Sequence, residues 1–88
     1  MSKLKWDYFP VEENQPEFWN AALPDLNLHI EVYRAPMSGF RYALSNGGHT
    51  PVFAGVQREA TLEEAQAIAI AKTADYFEAL SRRLRNKG

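Results

Sequence analysis

The chain reads as an α+β two-layer domain. An antiparallel sheet of three strands, four if residues 3–9 join it, carries a long C-terminal helix across one face and follows a short N-terminal helix. Three observations predict this. Thr61 to Arg85 has helical periodicity between matching end signals; residues 26–57 alternate apolar and polar side chains in three runs divided by turns; and Pro16 opens a segment in which Phe18, Trp19, Ala22 and Leu23 share a helical face.

The long helix is the best-marked element. Thr61-Leu-Glu-Glu64 is a capping box, and the sequence between it and Arg85 holds neither Gly nor Pro. Glu63 and Glu64 suit the positive end of the helix dipole, and Arg82, Arg83 and Arg85 the negative end. At about 100° per residue, Leu62, Ala65, Ala69, Thr73, Tyr76, Leu80 and Leu84 form the inward stripe, with Ile70 and Phe77 at its margin. Glu64, Ala71, Asp75, Glu78 and Arg82 lie opposite, and Glu78 and Arg82 form an i,i+4 pair. Ile68 falls outside the stripe, between Glu64 and Asp75, where an apolar side chain is a candidate partner contact.

Upstream, Leu4, Trp6 and Tyr8 alternate with Lys5, Asp7 and Phe9 until Pro10 interrupts. Pro10 to Gln15 is polar loop, and Pro16 suits the first turn of a helix spanning residues 16–23, which Pro24 ends. Leu26, Leu28, Ile30 and Val32 then alternate with Asn27, His29, Glu31 and Tyr33 in the clearest strand. A five-residue turn, Ala35 to Gly39, leads to Phe40, Tyr42 and Leu44, alternating with Arg41, Ala43 and Ser45. Asn46-Gly-Gly48 marks a hairpin, and a third strand follows near Val52–Gln57. Pro51 cannot donate to a ladder, so this strand belongs at an edge. Its register depends on the hairpin. A two-residue loop puts Phe53 on the face of Tyr42; a three- or five-residue loop turns Val52, Ala54 and Val56 inward and leaves Phe53 outside. The Val/Ala/Val set and Pro51 favour the longer loop.

Composition narrows the functional classes. Eighty-eight residues make one domain, and 45% hydrophobic content supports a real core rather than disorder. No cysteine means no disulfide, no thiol nucleophile and no thiolate metal site. No run is long enough to cross a membrane, and the start MSKLKWDYF lacks the apolar core of a signal peptide, so a cytoplasmic protein is expected. His29 and His49 have no neighbours at a metal-binding spacing, and the adjacent pairs Glu12-Glu13 and Glu63-Glu64 are not a catalytic arrangement. Asn46-Gly-Gly48 leads into a strand instead of the helix N-terminus that a phosphate loop requires. The expectation is a non-enzymatic protein with no catalytic residue, cofactor or metal.

Net charge is −1, yet Asp7 to Glu31 holds six acidic residues and no Lys or Arg, and Arg82 to Lys87 holds four basic residues and no acid. The face of the sheet away from the helix should show His29, Glu31, Tyr33 and Arg41, joined by Phe53 if the longer loop holds. An aromatic and an arginine on a sheet can stack bases. The order of short helix, three strands and Ala-rich helix over residues 16–85 also resembles the double-stranded RNA-binding domain. That resemblance implies lysines at the start of the last helix to hold phosphates; here those positions read Thr61-Leu-Glu-Glu64, whose acids repel a nucleic-acid backbone. The favoured expectation is therefore a small binding or regulatory protein acting on a protein partner, with nucleic-acid binding as the alternative. By size and by the absence of a site it is similar to small inhibitors and adaptors, including those of phages and other mobile elements. Candidate contacts are Ile68 and Asp75 on the helix and Glu31, Tyr33, Arg41 and Phe53 on the sheet. The sheet edge or helix surface would also serve a homodimer.

Overall fold

The computed structural model describes residues 4–35, 38–47, 50–55 and 59–87. Five strands, β1 (Asp7–Phe9), β2 (Phe18–Leu23), β3 (Leu28–Arg34), β4 (Phe40–Asn46) and β5 (Pro51–Ala54), precede the helix α1 (Leu62–Lys87). Each strand pairs antiparallel with its sequence neighbour, so the sheet is a meander in the order β1-β2-β3-β4-β5. The two long central strands bear the helix, which packs on β3 and β4. Val32 sits opposite Tyr42 and Ile30 opposite Leu44, as the five-residue turn between the strands requires. Those four side chains, with Ala21 and Phe40, meet Ala65 and Ala69 of α1 in the core. Alanines on the helix allow this close approach to the sheet.

The sheet has two strands more than the three the alternation pattern marks most clearly. The expected helix over residues 16–23 is β2. Trp19, Ala21 and Leu23 pair with Val32, Ile30 and Leu28 on the core face, while Phe18, Asn20 and Ala22 face away. Helical and strand periodicities coincide over so few residues, and a helix this short is marginal in water. Strand pairing on both sides serves the same backbone, and the aromatic pair suits it. Helix formation is instead confined to a 3₁₀ turn, Pro24–Leu26, closed by Asn27 at φ 55° with its amide donating to the Pro24 carbonyl at 3.2 Å. That turn delays β3 to Leu28 and leaves Leu26 exposed. Without the leading helix, the element order no longer matches that of the double-stranded RNA-binding domain.

At the N-terminus only Asp7–Phe9 is strand, and Lys3 lies outside the described residues. Leu4 and Trp6 still pack partly buried on the core, so their alternation with Tyr8 was informative beyond the strand itself.

The last strand resolves the register question in an unexpected way. Ser45 pairs with Pro51 across a five-residue loop, and β5 is an edge strand, both as the longer loop and Pro51 require. Yet Leu44 pairs with Phe53, because a β-bulge between these pairs inserts Val52 as an extra residue. The bulge resets the alternation. Phe53 therefore faces the core, 5.5 Å from the Tyr76 ring, and Val52 and Ala54 are exposed. Phe53 is not a sheet-face contact residue. Val56 and Gln57 lie outside the described residues. Gly55 follows directly, and a Cβ there would fall 2.4 Å from the Tyr42 ring, so the chain can pass only as glycine.

The helix begins as its cap predicts. The Glu64 amide donates to Thr61 Oγ1 at 3.1 Å, and the Thr61 hydroxyl donates to the Glu64 carboxylate. Arg82 pairs with Glu78. Ala65, Ala69 and Thr73 are buried, and the Thr73 hydroxyl donates back to the Ala69 carbonyl at 2.8 Å, so its burial leaves no unmet donor. Two expectations fail further along. Ile68 packs against the core and is not a free outward side chain. Leu80 and Leu84, expected inside, are 38% and 65% exposed. Length explains the second: 26 helical residues run about 39 Å, whereas a seven-residue strand spans about 23 Å. The last two to three turns of α1 extend past the sheet.

Candidate interaction surface

With α1 covering one face of the sheet, strand register orders the side chains of the other face into rows. The first row is Phe9, Phe18, Tyr33 and Arg41, one from each of β1 to β4. The second is Asp7, Asn20, Glu31, Ala43 and Ala54. The third is Ala22, His29, Ser45 and Pro51. The first row is thus three aromatic rings ending on a guanidinium. Phe9 and Phe18 stack with centroids 4.7 Å apart and planes within 9°. They form one wall of a groove of about 640 Å³ whose other sides are Asn14, Gln15, Pro16, Glu31 and Tyr33. The hairpin tip between β1 and β2 supplies Asn14, in a left-handed conformation at φ 68°, and the Glu12–Gln15 bridge closes it.

Glu31 is one of the residues that line this groove. Its Oε1 accepts from the Ser45 hydroxyl at 2.6 Å, and Ser45 is 1% exposed, so a buried donor holds the carboxylate in place. Oε2 has no protein donor among the described residues. Elsewhere on this face, Asn20 Oδ1 and Arg41 Nε are withdrawn from solvent and find no hydrogen-bond partner among the described residues.

Three of the six expected contact residues therefore come together: Glu31, Tyr33 and Arg41. Phe53 and Ile68 belong to the core side, and Asp75 is exposed on the helix, away from this face. The sequence pattern does not single out Phe9, Phe18, Asn20 or Ser45 on this face. The alternation Phe18, Asn20, Ala22 carries a signal for Phe18, but Pro16 and the shared helical face of Phe18, Trp19, Ala22 and Leu23 point to a helix over the same residues. His29 lies opposite Ser45 on the open face, and His49 is outside the described residues.

A second polar cluster lies at the margin of the core face. Glu17 accepts from the Arg34 Nε at 2.7 Å and from the Tyr8 hydroxyl, and the Arg34 guanidinium sits 4.9 Å above the Phe40 ring. The Tyr8 hydrogen bond, then the Arg34 hydrogen bond, hold the Glu17 carboxyl below the ordinary range, and the same bond to Glu17 raises the Tyr8 phenol. A depressed carboxyl contributes stability above its unfolded value that disappears as pH falls through its lower folded value. A raised phenol contributes stability below its unfolded value that disappears at alkaline pH. We expect Glu17→Gln to flatten the stability loss between neutral and acid pH, measured by urea unfolding across that range; Glu17 is half-buried at the surface and its partners Tyr8 and Arg34 are exposed, so the change should be small.

Among the described residues no three His, Cys, Asp or Glu side chains are grouped to hold a metal ion, and no helix is long and apolar enough to cross a membrane. No protein-family model, no curated protein and no solved structure matches the chain.

Proposed function

We propose that this is a non-enzymatic binding module that holds a protein partner on its open sheet face and regulates it by occupying its surface. The observation that carries the reading is the row Phe9, Phe18, Tyr33 and Arg41 on the face away from α1, with Phe9 exposed and the other three half-buried, since aromatic rings and arginine are the side chains that supply most interface energy. Asn20 Oδ1 and Arg41 Nε add to it: an unmet polar atom withheld from water costs about 1–3 kcal/mol, and such atoms call for an explanation such as a partner that satisfies them.

The same rings could stack nucleobases, but charge opposes that use. Asp7 and Glu31 occupy the adjacent row, Glu12 and Glu13 the hairpin tip, and Arg41 is the one Lys or Arg among the described strand residues of this face. A phosphate backbone laid there would meet more acid than base. The test is affinity capture from the native cell with the wild type and the Phe18→Ala/Tyr33→Ala variant, each with and without nuclease. The reading expects a protein captured by the wild type in both conditions and lost with the variant. Capture that vanishes with nuclease would favour nucleic acid, and equal capture by both baits would place the interface elsewhere.

A further inference from the structure

Resting on that reading of the open face, we infer that the groove between Phe9, Phe18, Tyr33 and Glu31 is a receptor for a cationic side chain, an arginine or lysine of the partner. Three features converge on it. The lining includes three rings: Phe9 and Phe18 spend one face each on their mutual stack and keep the other, beside the Tyr33 ring, and free π-faces attract a guanidinium or alkylammonium that has shed part of its water. The lining carries one carboxylate, Glu31, whose Oε1 is held by the buried Ser45 hydroxyl and whose Oε2 has no donor among the described residues, so an arriving N–H donor meets an acceptor already anchored at one oxygen. The surroundings are acidic: Glu12 and Glu13 flank the groove at Asn14 and Gln15, within a stretch from Asp7 to Glu31 that contains no Lys or Arg.

The cation nearest along the row is Arg41, separated from Phe18 by Tyr33. Arg41 pairs directly with Tyr33 but lies two strand spacings, about 10 Å, from Phe18, and it is not among the residues that line the groove. Arg41 therefore caps the far end of the row instead of filling the groove. It also suits a carboxylate or carbonyl of the same partner segment, so the row would read a basic residue and an acceptor about 10 Å apart.

The experiment is an NMR titration of the ¹⁵N-labelled chain with three blocked pentapeptides, glycine on both sides of a central arginine, lysine or glutamate. Saturable shifts at the amides of Phe9, Phe18, Glu31 and Tyr33 are expected with the arginine and lysine peptides and not with the glutamate one. Glu31→Gln keeps an oxygen to accept from Ser45, so the fold should persist while the arginine peptide binds about tenfold weaker. Phe18→Leu, which keeps the strand apolar but removes the π-face, should weaken it as well. No saturable shift with either cationic peptide, or equal binding by wild type and Glu31→Gln, overturns the groove assignment. The wider reading of the sheet face has its own separate test in the Phe18→Ala/Tyr33→Ala capture, so the two can fail independently.

Discussion

Replacing Leu44 by alanine should destabilise the domain by about 2–5 kcal/mol, the range for emptying a fully buried leucine site. Leu44 is 0% exposed at the middle of β4, between Ile30 on one neighbouring strand and Phe53 on the other. Both flanking strands are hydrogen-bonded to β4, so the site cannot collapse by moving a loop inward, and the upper half of the range is expected. A domain of this size has only about 5–15 kcal/mol to lose. Thermal unfolding should therefore shift down by 10 °C or more, on a scale of roughly 4–8 °C per kcal/mol. A shift of only a degree or two would mean that the helix does not cover β4 as described.

The second large effect contrasts two positions of α1 with the same residue. Ala69→Glu puts a carboxylate where the helix meets the sheet at 1% exposure, and should cost at least about 3 kcal/mol or abolish folding. Leu84→Glu changes a side chain 65% exposed beyond the sheet, and should stay within about 1 kcal/mol of wild type. Circular dichroism during urea titration compares them directly. Equal losses at the two positions would show that the end of α1 is covered after all. Ile68→Glu belongs with the first class, since Ile68 packs on the core.

The elements legible in the sequence were those whose cues agree locally. The helix carries its cap, its composition and its charge asymmetry within a few residues, and β3 and β4 alternate over a full strand length. What escaped depended on pairing at a distance. β2 has six residues in which both periodicities are satisfied, and only β1 and β3 on its two sides decide the matter. The Val52 bulge lets the predicted loop length and the opposite facing of Phe53 coexist, and no local pattern announces it. The fate of Leu80 and Leu84 turned on the relative lengths of helix and sheet, which a helical wheel does not contain. The candidate surface follows the same division: Glu31, Tyr33 and Arg41 lie on the strands with clear alternation, and Phe9 and Phe18 come to this face through β1 and β2, whose pairing no local pattern announces.

The proposed partner surface is the sheet face away from α1, not the overhanging end of the helix. The most direct measurement places a photo-crosslinking benzoylphenylalanine at position 18 in one protein and at position 80 in another, each irradiated in the native cell. A discrete protein adduct from position 18, resistant to nuclease, and none from position 80 are expected. An adduct from position 80 with none from position 18 would contradict that placement.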